Sequence, residues 1–269
     1  MNKYLELVAF KHTLFGLPIT LLACFLAPVP FSLVKLIGIV IAFTAARTAG
    51  MALNRLFDEA VDRKNPRTAS RALPQGLITR KQVKLVAFLS LGVFFITVCF
   101  FPWGVIFLAP LIIALLFFYS LAKRATPACH FILGAIEFFA PFCAWWAYTG
   151  SVGITAYLLG LGICFWITGI DLIYALQDVA FDRAYGVFSY PAIYGQKSAL
   201  ILSRFLHILA IITLFLAGLT LHAAWSYFVS TLVIASLLLL QHLQIAHPKA
   251  FFRYNSAISL CLLTGSLIS

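Results

Sequence analysis

Residues 33–62 read LVKLIGIVIAFTAARTAGMALNRLFDEAVD. The run from residue 33 to 53 is apolar except for Lys35, Arg47 and two threonines, and is about the length of one helical crossing of a bilayer, ~20 residues. It passes directly into Asn54, Asp58 and Asp62, spaced i, i+4, i+8. On a helix that spacing lines their oxygens along one face, at the end of the span.

The rest of the chain has the same character. Of its 269 residues 63% are hydrophobic and 10% charged, and its mean hydropathy is +1.02. Such a chain has lipid as its solvent, where backbone groups must bond internally, so apolar runs of this length become helices. The runs predict spans near residues 13–28, 33–53, 83–101, 103–121, 128–149, 153–175, 200–219, 222–246 and 251–268. The expected fold is an all-α, polytopic membrane protein of about nine transmembrane helices, with residues 1–269 forming a single integral membrane domain. The first run follows Lys3 and Lys11 like a signal peptide. Pro28 and Pro30 stand where a small-residue cleavage site belongs, so it reads as a retained helix.

Lys and Arg gather in the connections after the second, fourth, sixth and eighth spans, with Lys35 the exception. The positive-inside bias then places those connections and the N-terminus in the cytoplasm and the C-terminus outside. The net charge of +11 is thereby explained by anionic lipid rather than nucleic acid. The six cysteines show no CxxC pair and read as small core residues.

Two connections, Arg55–Gln82 and Asp178–Ser198, exceed a tight turn, and long connections in compact bundles commonly carry function. Six of the eight acids fall in or beside them: Asp58, Glu59 and Asp62 in one cluster, Asp171, Asp178 and Asp182 in the other. Asp178 and Asp182 repeat the four-residue spacing, and Tyr174 and Asp171 lie one and two turns before Asp178 on roughly the same face. Acids four apart repel on a bare helix, so two such pairs at a membrane boundary call for a cation. Magnesium, which takes a few carboxylates together with phosphate and water, implies a phosphate-bearing substrate. Arg67, Arg71, Arg80, Lys81, Lys123 and Arg124 are candidate phosphate clamps. The competing reading pairs the acids with the adjacent Arg55, Arg63 and Arg183. Arg47, buried two turns before Asn54, is a functional candidate whose alternative is a structural pair with Glu137. His12 in the first span is a further candidate, whose alternative is a packed histidine.

The stretch 54–76, NRLFDEAVDRKNPRTASRALPQG, resembles the first signature of the UbiA-type intramembrane prenyltransferases, and 171–195, DLIYALQDVAFDRAYGVFSYPAIYG, resembles the second. The resemblance implies a helical bundle around a central cavity with a polar cytoplasmic cap and an apolar tunnel open to lipid. It implies that Asn54, Asp58 and Asp62 hold one Mg2+ and Asp178 and Asp182 another, with Asp171 in support. Arg67, Arg71, Lys123 and Arg124 would contact diphosphate, Tyr119 and Tyr174 would face an allylic carbocation, and Arg47, in an RxxG element, would contact the acceptor. The implied reaction transfers a polyprenyl group from polyprenyl diphosphate to an aromatic acid, 4-hydroxybenzoate or a dihydroxynaphthoate, with Asp171 or Asp182 as proton acceptor, in the inner membrane of a bacterium and without an obligate protein partner. Haem, a chlorophyll precursor or a glycerol phosphate lipid are alternative acceptors. An intramembrane cation transporter would also place acids between helices, but leaves the arginine-rich connections unexplained. A CDP-alcohol phosphotransferase requires a DxxDG run that the chain lacks.

Overall fold

The computed structural model describes residues 3–244 and 248–267, without the side chains of 11, 12, 14 and 248–252, so the expectation for His12 lies outside the described residues. The described residues are helices and short connections. In chain order they are α1 (Lys3–Leu7), α2 (Phe10–Phe25), α3 (Leu33–Lys64), α4 (Arg80–Val98), α5 (Trp103–Ala122), α6 (Cys129–Thr149) and α7 (Ile154–Ala175). A 3₁₀ turn (Leu176–Asp178) leads to α8 (Val179–Tyr185), α9 (Tyr190–Tyr194), α10 (Gln196–Thr220), α11 (Trp225–Leu243) and α12 (Pro248–Leu267).

Helices lie over all the apolar runs read from the sequence. Among the described residues, seven are long and apolar enough to cross a membrane: α3, α4, α5, α6, α7 with its continuation, α10 and α11. The apolar part of α2 is shorter. Each long helix packs on the next in the chain, and α12 packs on both α11 and α2, so the bundle closes on itself, with α6 touching α2 and α3 across it. The outer surface is apolar as lipid requires: Phe88, Phe100, Phe107 and Trp225 are 73–83% exposed.

Helix α3 runs eleven residues past the expected span end. Its 32 residues measure about 48 Å at 1.5 Å per residue, against a hydrocarbon core of ~30 Å, so its acidic end stands clear of the lipid while remaining helical. Pro66 ends it, because the residue before a proline is pushed out of the helical region, and Asn65 is extended at φ −83°, ψ 119°. At the other end the Ser32 side chain caps α3 by accepting from the Lys35 amide. The Lys35 ammonium donates to the Tyr148 carbonyl at 2.8 Å, which accounts for the one basic residue on the uncharged side of the bundle. What the sequence presents as a loop from Arg55 to Gln82 is therefore irregular only between α3 and α4, where a Thr79–Gln82 capping box starts the next helix. That segment is anchored by its own small core, Ala72, Leu73 and Ile78 against Leu7, Ala52, Leu53, Val83 and Ala87.

The contact of α6 with α7 depends on small residues, as helix pairs in lipid do. A Cβ on Gly134 would sit 2.9 Å from the Cys164 carbonyl oxygen and collide with Thr168, and one on Gly160 would sit 3.1 Å from the Phe138 carbonyl. Backbone cannot yield as a flexible side-chain end can. Gly134→Val is therefore expected to force α6 from α7 and destabilise the chain by more than the 1–3 kcal/mol usual for overpacking, measured as a lowered Tm in detergent.

Candidate active site

The polar ends of α3, α5 and α7 meet the 65–79 segment and α8 in one cap, and each candidate side chain is placed there by a local feature. Asn65 Oδ1 accepts from the Arg67 amide at 2.9 Å, and Thr68 Oγ1 donates to the Asp62 carbonyl at 3.1 Å, so the chain turns back over the end of α3. This directs Arg67 and Arg71 to opposite acidic clusters. Arg71 Nη1 lies 2.7 Å from both carboxylate oxygens of Asp62. Arg67 grips Asp178 with two nitrogens, Nε to Oδ1 at 2.9 Å and Nη2 to Oδ2, while its Nη1 donates to the Tyr174 hydroxyl at 2.6 Å. Its guanidinium also sits 4.9 Å from the centre of the Tyr174 ring. Burial alone would lower the pKa of Arg67, but the bonds to Asp178 and Tyr174 hold it above the ordinary arginine value, so it stays charged. Asn65 Nδ2 adds a third donor to Asp178, at 3.1 Å.

On the other side of the cap Lys123, at the end of α5, pairs with Asp58, which is 1% exposed. Arg124 Nη2 stands 3.9 Å from Asp58 Oδ1 and donates to the Phe57 carbonyl. The backbone of Lys123 accepts from the Phe188 amide at 2.7 Å, tying α5 to the segment after α8. That segment turns at Gly186, whose φ of +68° suits glycine, and it returns Ser189 Oγ to Asp182 Oδ2 at 2.6 Å. The same cations bear on both acidic clusters: Lys123 pairs with Asp58 and also favours the ionised form of Asp182, and Arg71 pairs with Asp62 and also favours the ionised form of Asp178.

Several expectations change. A 3₁₀ turn at 176–178, wound more tightly than an α-helix, separates Asp171 from Asp178 and Asp182. Asp171 instead bonds His130 Nδ1 at 2.6 Å, and His130 Nε2 accepts from the Tyr190 amide at 3.2 Å. The clustered aspartates form ion pairs with Arg67, Arg71, Lys123 and Arg124; of the adjacent arginines Arg63 pairs with a clustered acid, Glu59, and among the described residues no ion pair joins Arg55 or Arg183 to the clusters. Arg63 and Arg80 both bond Glu59, at 3.0 and 2.5 Å, which removes Arg80 from the cap, and Arg183 Nε donates to the Ala192 carbonyl. Arg47 bonds Glu137 at 3.0 Å, as its alternative reading had it. His130, Ser189, Asn65 and Glu6, which accepts from the Ala72 amide at 2.9 Å, were not singled out by the sequence. Only Ser189 and Asn65 carried a signal, as members of the two quoted stretches.

Below the cap, between α3, α4, α5 and α6, lies a cavity of about 140 Å³. Asn54, Tyr119, Arg47 and Glu137 face it, and the remaining wall is largely apolar, from Ile112 and Leu116 to Phe94, Val98 and Phe101. Asn54 lines this cavity one turn before Asp58, so cap and cavity are continuous along α3. Among the described residues no three His, Cys, Asp or Glu side chains are already gathered as a metal nest. The donor set is nonetheless one of hard oxygens, and Asp58 Oδ1 is a buried carboxylate oxygen without a hydrogen-bond partner, an atom that a cation satisfies.

Residues 16–251 match the family model described as the UbiA prenyltransferase family. The chain belongs to that family. It is an integral membrane prenyltransferase, and the two stretches quoted from its sequence are the walls of the cap. Among curated relatives it is 30% identical over 238 residues to a 4-hydroxybenzoate octaprenyltransferase of Saccharophagus degradans, covering 87% of this chain and 79% of the relative. It is 30% identical over 244 residues to an enzyme of the same name from Serratia proteamaculans, covering 88% and 83%. Its structure is similar to the apo form of a UbiA homolog from Aeropyrum pernix K1, with a TM-score of 0.87, 28% identity, and 95% and 96% of the two chains covered. It shares its fold with a UbiA homolog from Archaeoglobus fulgidus bound to GPP and Mg2+, with a TM-score of 0.80 at 18% identity and 99% of both chains covered.

Proposed function

We propose that this UbiA-family chain transfers a polyprenyl group from a polyprenyl diphosphate to an aromatic acid bearing a ring hydroxyl, 4-hydroxybenzoate or a dihydroxynaphthoate, at the cytoplasmic face of a bacterial inner membrane. The observation that carries this reading is the layer of Arg67, Arg71, Lys123 and Arg124 between two acidic clusters, set at the head of an apolar cavity. The relatives named 4-hydroxybenzoate octaprenyltransferase support the aromatic acceptor, and the Archaeoglobus homolog bound to GPP and Mg2+ supports the donor and the metal. In this reading α2 and α12 complete nine crossings, and residues 1–269 act as one domain.

Asn54, Asp58 and Asp62 on one side and Asp178 and Asp182 on the other would hold magnesium, which when bound neutralises charge on the departing diphosphate. The four cations repartner from carboxylate to phosphate oxygens, and Arg67 is the one whose planar fork already grips two oxygens. As the bond from prenyl carbon to oxygen breaks, Tyr119 and Tyr174 present ring faces to the allylic cation, and the apolar wall excludes water. Arg47 contacts the acceptor. Asp171, held by His130, and Asp182, held by Ser189, are the positioned carboxylates at the cap.

The test is to incubate membranes carrying the chain with Mg2+, a labelled polyprenyl diphosphate and each acceptor in turn. Prenylated product is expected with one aromatic acid and is expected to disappear on chelation with EDTA. No product with any aromatic acid overturns the reading.

A further inference from the structure

Among the described residues the cavity wall beneath the cap carries a single ion pair, Arg47 Nη1 to Glu137 Oε1 at 3.0 Å. The two side chains are 18% and 10% exposed, and their neighbours on the wall are mostly Ala, Phe, Leu, Ile, Met and Cys. Such a pair adds little net stability, because desolvating two charges costs about what their attraction returns. Charges kept inside a membrane protein under those terms usually serve substrate.

The pair has unused capacity. Arg47 takes Glu137 Oε1, whereas Glu137 Oε2 has no hydrogen-bonded protein partner among the described residues, and Arg47 Nε is a buried donor without an acceptor. The second carboxylate oxygen of Glu137 therefore stands without a protein partner beside the Arg47 guanidinium on the cavity wall. They lie below the cap, since Arg47 precedes Asn54 by seven residues and Asp58 by eleven, about 10 and 16 Å along α3. An acceptor's own carboxylate would be repelled here by Glu137, whereas a ring hydroxyl can donate to Glu137 and accept from Arg47 at once. The pair thus fits the hydroxyl end of the acceptor and leaves its carboxylate toward the cations of the cap.

We propose that Glu137 is a catalytic residue that accepts the proton of the acceptor's ring hydroxyl, with Arg47 bonded to the same oxygen. This rests on the functional reading above. The O–H bond breaks and its proton goes to Glu137 Oε2. The ortho carbon of the phenolate forms its bond to the first prenyl carbon as that carbon's bond to oxygen breaks, and the electron pair leaves with diphosphate. The C–H bond at the substituted ring carbon then gives its proton to the released diphosphate and its electrons to the ring. Glu137 returns its proton to the ring oxygen, so the products are the prenylated phenol and protonated diphosphate, and the carboxylate is restored.

The experiment compares wild type, Glu137→Gln and Glu137→Asp in detergent with Mg2+ and labelled polyprenyl diphosphate, using 4-hydroxybenzoate and a ring-fluorinated analogue whose hydroxyl is more acidic. Glutamine keeps an oxygen for Arg47 but cannot take the proton. Its turnover is expected to fall about 10²-fold with the unsubstituted acceptor and by clearly less with the fluorinated one, with aspartate intermediate and Mg2+-dependent donor retention unchanged. A Gln variant as fast as wild type, or one equally slowed with both acceptors, overturns the proposal. A wild-type chain that prenylates neither acceptor overturns the functional reading itself.

Discussion

Asp58→Asn is expected to lower turnover about 10³-fold, the scale of losing a group that stabilises charge in the transition state, while the chain still folds. Asp58 is 1% exposed, one of its oxygens is held by Lys123 and the other has no hydrogen-bond partner. Asparagine keeps the shape and removes a buried charge, and Lys123, a quarter exposed, can turn its ammonium to water. The reciprocal change behaves differently. Lys123→Met breaks the close pair of the buried Asp58 carboxylate and leaves it only the more distant Arg124, at 3.9 Å; breaking a buried pair costs about 3–5 kcal/mol, so this variant is expected to lose Tm in detergent as well as activity. Measuring turnover and Tm for both separates the chemical part of the pair from its structural part. An Asp58→Asn chain as active as wild type removes Asp58 from the site.

The acids of α3 could be read from the sequence because their geometry is local. Once residues 33–62 are helical, the spacing of Asn54, Asp58 and Asp62 places them on one face whatever surrounds them. The choice of ion-pair partners was partly legible too. Residues adjacent on a helix point about 100° apart, so Arg63 turns from Asp62 and meets Glu59 four residues earlier. Arg67 and Arg71 reach their acids only because Pro66 stops α3 and folds the chain back over it, a tertiary consequence of one residue. The break at Leu176–Asp178 had no local signal, since no proline or glycine marks it. Asp171 could not be paired with His130 from spacing, because 41 residues and the packing of α6 on α7 lie between them. Arg47 and Glu137 are 90 residues apart, and only the isolation of each charge within an apolar run hinted that they meet.

Arg67→Ala is expected to reduce kcat/KM for the prenyl diphosphate about 10³-fold, on the scale seen when an arginine that stabilises a transferring phosphoryl group is lost. The 65–79 segment is joined to the second acidic cluster by Arg67, which bonds Asp178 twice and Tyr174 once, together with Asn65. Removing it strips a diphosphate ligand, leaves Asp178 with Asn65 as its remaining hydrogen-bond donor in this contact, and takes the guanidinium from the hydroxyl and ring face of Tyr174. Arg67→Lys tests which of these matters. Lysine restores the charge but not the planar fork, so if charge alone suffices it recovers most of the activity. If the fork must hold Asp178 and Tyr174 in register, it recovers little. The geometry favours the second outcome, because the guanidinium engages two carboxylate oxygens, a phenol and a ring face at once, and an ammonium on a flexible stem cannot satisfy all four. Steady-state kinetics at varied donor concentration distinguish the two, and an alanine variant with unchanged kcat/KM shows that the bridge between the two acidic clusters is structural only.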